Sequence, residues 1–349
     1  RQRIKRLLAS LNKAALIFSF LLLPLIVGVI YISDINLLTG INNDRVLMLM
    51  LVSLPFAASL SILRGVALGE LFVGGIIRSA IVEMAVRLIF AIVAWHLGFG
   101  LPGVVFAIVL SIGAGWLALY GLLPKAKTTP SDIRRFSLKL GFNALPFGVI
   151  YLAQVLALDG DIFLAKAFLP ADDAGMVAAL LLFQRIQFFA CFALASILLP
   201  SVVNAVNGGQ KLAPSLAPVL GLFGATALIF LTMVQLYPDV LVRTLVGPDY
   251  ADASNGIGLA ATAAVAFTLS FLISIFLAAI GDLKGIWITV LVAVGQIAIV
   301  MAFTNASSLT FITILQIKCV CQCALAAGLS LYAGARIASR KNFTGKDLS

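Results

Sequence analysis

The sequence predicts an all-α polytopic membrane protein of about ten transmembrane helices, and three observations lead there. Hydrophobic residues make up 62% of the 349 and charged residues only 11%, with a mean hydropathy of +1.13. A soluble domain carries about 25% charged residues, so the deficit belongs to a chain that dissolves in lipid. The apolar residues come in runs of about 20, the length that crosses a bilayer as a helix, divided by short polar turns. The basic residues cluster on alternate turns, which gives the runs a direction.

Ten runs are expected as spans: 14–33, 46–63, 79–97, 102–123, 138–158, 176–200, 216–235, 256–280, 285–304 and 309–334. Turn residues mark the breaks, as in Thr39-Gly40-Ile41-Asn42-Asn43-Asp44 and Gly247-Pro248-Asp249-Tyr250. With the N-terminus cytoplasmic, 18 of the 24 Lys and Arg fall on inner segments. Only Arg45, Lys166 and Arg243 fall on outer ones, and Arg87, Arg185 and Lys318 lie within spans. That bias places both termini of this chain in the cytoplasm. It also accounts for the net charge of +10 without a nucleic-acid partner. The chain opens on Arg1-Gln2-Arg3-Ile4-Lys5-Arg6, with neither Met nor leader, and reads as a fragment.

The fifth run ends in charge, with Asp159, Asp161 and Lys166 before Pro170-Ala171-Asp172-Asp173. The span is expected to surface near Asp159, with an interfacial helix after it and an outer turn at Pro170–Asp173. Asp161 is expected to aim at a space between two lobes.

An internal repeat supports those lobes. At an offset of 212, Leu117-Ala-Leu-Tyr-Gly121 falls on Leu329-Ser-Leu-Tyr-Ala333, and Gly69-Glu70-Leu71 on Gly281-Asp282-Leu283. The second to fourth spans then overlie the eighth to tenth. The second copy, 137–349, has six spans; the first, 1–123, has four and lacks its first two helices. The basic segment 124–136 is the cytoplasmic linker. An even number of spans per copy makes the repeats parallel.

Ionisable residues inside spans mark functional positions, because each costs roughly 2.5–3.5 kcal/mol at mid-helix. Asn143, Tyr151, Gln154 and Asp161 fall on one stripe of the fifth span. Gln184, Arg185 and Gln187 cover one side of the sixth. A guanidinium beside amides suits an anionic, oxygen-rich ligand; the alternative is a structural Arg paired with Asp161 or a carbonyl. Glu83 and Arg87 form an i, i+4 pair that either neutralises itself or couples an ion. Lys318, between Gln316 and Gln322, faces either a cavity or a helix contact. Gly113-Ala-Gly115 and Gly221-Leu-Phe-Gly224 are expected to pack helices closely.

Cys191, Cys319, Cys321 and Cys323 all lie in apolar runs, so no disulfide framework or metal site is expected, and no cofactor motif is present. With His96 alone at a span end and no sizeable outer loop, the chain is not read as an enzyme.

The run from Ser137-Leu-Lys-Leu-Gly-Phe-Asn-Ala-Leu-Pro146 through Asp161-Ile-Phe-Leu-Ala-Lys-Ala-Phe-Leu169, Ala174-Gly175, Ala178-Ala179 and Leu199-Pro200 resembles bacterial polysaccharide flippases of the O-antigen type. These belong to the multidrug/oligosaccharidyl-lipid/polysaccharide exporter superfamily. Met176-Val177 stand where a Tyr is common in that family. The resemblance implies two lobes around a cavity in the bacterial inner membrane and alternating access. It also implies a polyprenyl-pyrophosphate oligosaccharide as cargo, with a polysaccharide polymerase or other assembly proteins as partners. Arg185, Gln184, Gln187, Gln154, Asn143 and Lys318 would then meet substrate, and Asp161, Glu83 and Arg87 would couple an ion. The alternative is a cation-coupled multidrug antiporter of the same superfamily, with a membrane enzyme of polysaccharide assembly further behind.

Overall fold

A helix that is apolar on every side has no face to turn to water, and its length decides whether it can span a bilayer. The computed structural model describes residues 20, 24, 44–69, 72–120, 131–208, 212–282, 284–304 and 309–340. These are helical between short turns: α1 (Asp44–Gly69), α2 (Val73–His96), α3 (Gly100–Tyr120), α4 (Ser131–Phe168) and α5 (Ala171–Asn207). There follow α6 (Ala213–Leu236), α7 (Pro238–Leu245), a 3-10 turn at Pro248–Ala253, α8 (Ser254–Ala279), α9 (Ile286–Thr304) and α10 (Phe311–Arg340). Among the described residues no strand occurs, and 7 helices are long and apolar enough to cross a membrane. The molecule is an all-helical, multi-pass membrane protein. The first expected span, 14–33, lies outside the described residues apart from Phe20 and Pro24, as does the linker up to Ser131.

The chain divides into two units, Arg1–Asn143 and Ala144–Ser349. Moved along by 212, the starts of α1, α2 and α3 fall at 256, 285 and 312, each within two residues of the starts of α8, α9 and α10. Glu70, the partner of Asp282 in that comparison, lies outside the described residues.

In the first unit α3 packs along both α1 and α2. Leu60, Leu63, Ala67 and Leu119 form its core. Trp116 Nε1 donates to Ser59 Oγ at 2.6 Å, so the indole satisfies its one donor inside the bundle. Gly115 brings α2 and α3 together: a Cβ there would lie 3.1 Å from Glu83 Cβ. The other three expected packing glycines, Gly113, Gly221 and Gly224, have open space where a Cβ would stand.

The second unit is built around α8, which lies against α5 and α10. Its small residues, among them Ala260, Ala261, Ala263 and Ala264, are buried and let the neighbouring helices approach. A Cβ on Gly256 would come within 2.8 Å of Leu315 and 2.9 Å of Leu180. Phe271, Leu272 and Phe276 of α8 meet Leu194, Leu198 and Val202 of α5 and Leu325 and Leu329 of α10. The segment expected as an outer loop, 236–255, holds α7 and the 3-10 turn, anchored by the fully buried Val242 and Ala253.

The expected end of the fifth span is corrected. α4 runs unbroken through Asp159, Asp161 and Lys166 to Phe168, and only Leu169 and Pro170 separate it from α5. No separate interfacial helix follows Asp159; Asp159 and Asp161 are each paired with a cation of another helix. Asp172 and Asp173 then sit in the first turn of α5, where the helix dipole favours acids.

Candidate functional site

Asp161 faces the inside of the second unit. Its Oδ2 lies 2.6 Å from Lys318 Nζ on α10, with both side chains at most 1% exposed. Lys318 Nζ also donates to the carbonyl of Leu158, at 2.8 Å. The other oxygen, Oδ1, accepts from Gln296 Nε2 of α9 at 2.8 Å. Gln296 Oε1 in turn accepts from Gln322 Nε2 of α10, again at 2.8 Å. A carboxylate paired with an ammonium only accepts, so it fixes the Gln296 amide, which then fixes that of Gln322. The chain ends on Gln322 Oε1, which is buried without a hydrogen-bond partner.

Two apolar layers hold this line of polar groups. Ala153 and Ala157 of α4 pack with Phe267 of α8 and Ala293 of α9 on one side. Ala165 packs with Val177, Leu181, Val300 and Ile314 on the other. A buried ion pair is stable only when its remaining lone pairs and protons find partners, and these layers keep water from supplying them.

The structure separates residues that the sequence analysis grouped. Arg185 is on the exposed side of α5, its side chain 44% exposed, and pairs with Asp159 Oδ1 at 2.9 Å. Gln184 and Gln187 are buried at 1% and 2% on the other side. Neighbouring helical residues diverge by about 100°, so an arginine one step from a buried amide points elsewhere. The expected cluster of Arg185 with the amides does not form. Gln187 Nε2 instead meets Cys191 Sγ at 3.5 Å, and neither amide atom of Gln184 has a partner. Gln154 is buried with its Oε1 unpartnered, whereas Tyr151 on the expected stripe is exposed. Asp161 is enclosed by its own unit, which corrects the expectation that it faces a space between lobes. Of the two readings of Lys318, the helix contact holds. The side chain of Asn143 lies outside the described residues.

A second polar cluster lies in the first unit. Glu83 Oε1 accepts from Arg87 at 2.5 Å, and its Oε2 accepts from Arg64 of α1 at 2.7 Å. Ser79 Oγ takes a bond from Arg64 at 3.1 Å and donates to the Gly115 carbonyl. Ser111 Oγ accepts from Arg87 Nε at 3.2 Å. The expected Glu83–Arg87 pair is present, but two guanidiniums share its single carboxylate.

Sequence reasoning missed two participants. Gln296 stands as the only amide in the apolar run Ile286–Thr304, a signal that was available. Arg64 was assigned to an inner turn, although α1 continues past it to Gly69.

A third polar group closes the turn between α8 and α9. Asp282 accepts from the backbone N–H of Lys284 at 3.0 Å and from Tyr332 of α10, and it pairs with Arg336. Burial pushes this carboxyl up, but Arg336, the Lys284 N–H and Tyr332 together outweigh it and hold the group below the usual carboxylate range.

No family model and no curated protein matches this chain. Solved structures do. The inward-facing conformation of a multidrug resistance MATE family transporter of the MOP superfamily matches with a TM-score of 0.75 at 15% identity, over 98% of this chain and 89% of that one. A MATE in the straight conformation matches with a TM-score of 0.70 at 14% identity, over 98% and 80%. A MOP superfamily transporter from Pyrococcus furiosus, described as having a binding pocket of reverse polarity, matches with 0.70 at 15%, over 98% and 81%. At these identities the likeness is one of fold: the chain has the fold of the MATE transporters of the MOP superfamily.

Proposed function

We propose that the protein is an exporter of amphipathic organic cargo, coupled to a cation gradient and working by alternating access. One observation carries the choice of cargo. The two cations of the second unit that would have met a phosphate, Arg185 and Lys318, are each already paired with a carboxylate, Asp159 and Asp161. Their positive charge is cancelled, so neither opposes a cationic, drug-like substrate. The multidrug transporters of the same fold support this reading over an oligosaccharide flippase.

The flippase reading keeps one observation of its own. Arg64 and Arg87 share Glu83, so this cluster of described residues carries one more positive charge than negative. A polyprenyl-pyrophosphate headgroup would answer that charge.

One experiment separates the two. A deletion strain is scored against a panel of cationic amphiphiles, and its lipid-linked oligosaccharide is assayed for sidedness in spheroplasts and inverted vesicles. Hypersensitivity reversed by the gene, with unchanged lipid sidedness, supports the antiporter. Oligosaccharide held on the cytoplasmic leaflet with unchanged drug tolerance replaces it with the flippase. If neither phenotype changes, transport of both cargo classes is refuted.

A further inference from the structure

The surroundings of Lys318 Nζ are those of a small cation. A carboxylate oxygen lies at 2.6 Å and a main-chain carbonyl oxygen at 2.8 Å. One turn along α10, on the same face of the helix, Gln322 presents a buried amide oxygen with no partner. Gln322 Nε2 also reaches the Ala157 carbonyl at 3.5 Å, one residue before the carbonyl that Lys318 holds. Carboxylate, carbonyl and amide oxygens are the hard donors that alkali and alkaline-earth cations take, and membrane carriers build ion sites from such main-chain oxygens. An ordinary buried ion pair has no need of the unsatisfied acceptor. Gln322 Oε1 takes no N–H from Lys318 or any other described group, and it is the one oxygen that a bare ion would add.

We propose that the Asp161 pocket is a monovalent-cation site whose cation is supplied by the protein itself, the ammonium of Lys318. The pocket therefore has no affinity for sodium while Lys318 is present, and it becomes a sodium site when the ammonium is removed. Asp161 supplies the charge, the Leu158 carbonyl and Gln322 Oε1 supply neutral oxygens, and Gln296 orients the carboxylate. A consequence follows for transport, and it rests on the export reading above: this pocket makes the carrier independent of sodium. The site itself does not rest on that reading.

The test measures binding in purified protein and needs no cargo. Wild type, K318A, K318Q and the double variant D161N/K318A are melted in detergent in about 0.2 M sodium chloride and in choline chloride at equal ionic strength. Binding of radioactive sodium is measured in parallel. Wild type and the double variant are expected to melt at the same temperature in both salts. K318A and K318Q are expected to gain about 3–6 °C in sodium and to bind the tracer, because an uncompensated buried carboxylate draws in a counter-ion.

A sodium response of wild type overturns the proposal. So do neutral variants that fold yet ignore sodium. If K318A and K318Q are recovered folded only in sodium, the site is supported; if they are recovered in neither salt, sodium cannot fill it and the proposal falls. None of these outcomes depends on export, so a failed drug panel and a failed sodium response remain distinct results.

Discussion

Gln296 is the joint of the buried network, and removing it gives the sharpest test of the geometry. Gln296→Leu keeps an apolar side chain of similar length but deletes two bonds, one to Asp161 Oδ1 and one from Gln322 Nε2. The first goes to a carboxylate that is also ion-paired, so its loss costs about 1.5–3 kcal/mol. The second leaves a buried amide donor short of its main acceptor, adding about 1 kcal/mol. A total near 3 kcal/mol is expected, offset in part by the added apolar burial. Gln322→Leu deletes the second bond and the longer contact of Nε2 with the Ala157 carbonyl, together at about 1–2 kcal/mol.

The double variant decides the matter. With both glutamines gone, the bond between them is lost once rather than twice, and no stranded amide remains. The double variant should therefore be more stable than the sum of the single effects by about 1–2 kcal/mol. Unfolding free energies from denaturant titration in mixed micelles, with helicity as the probe, measure all four corners of the cycle. Additivity within about 0.5 kcal/mol would refute the relay from α4 through α9 to α10. A loss below about 0.5 kcal/mol for Gln296→Leu would refute its burial role as well.

Three further outcomes follow from the same physics. Glu83→Gln strands two guanidiniums and should cost about 3 kcal/mol, more than Arg87→Met, which leaves Arg64 on the carboxylate; melting of the two variants checks the order. Arg185→Ala breaks a half-exposed pair and should cost no more than about 1 kcal/mol, so any export defect in that variant reports on cargo rather than folding. Asp282 has a folded pKa below its unfolded value, so its contribution is complete above about pH 4 and lost as pH falls through the folded value. Hydrogen exchange at the α8–α9 turn should accelerate in that acid window in wild type, whereas D282N should exchange fast at every pH.

Seven of the expected spans, those outside 14–33, 79–97 and 138–158, were legible because hydrophobicity needs no partner: an apolar run of about 20 residues states its solvent by itself. The polar network was only half legible, and the reason lies in which faces meet. Asp161, Lys318, Glu83 and Arg87 stand out because charge is rare in such runs, but nothing local says that Asp161 reaches Lys318, 157 residues away in sequence, rather than water. The same blindness misplaced Arg185. A helical stripe read from one sequence gives relative angles but no absolute direction, and the 100° between Gln184 and Arg185 is enough to send one inward and the other out. The end of the fifth span failed for a related reason. Asp159 and Lys166 read as a break between a span and an interfacial helix, but α4 carries both without one, with Asp159 and Asp161 paired to Arg185 and Lys318. Charge in a span can thus mark a partner on another helix as well as water, as Asp161 and Lys318 do. Gln296 shows how to use this: it is the single amide of its run, it carries no charge to draw the eye, and it is the residue that α4 and α10 share.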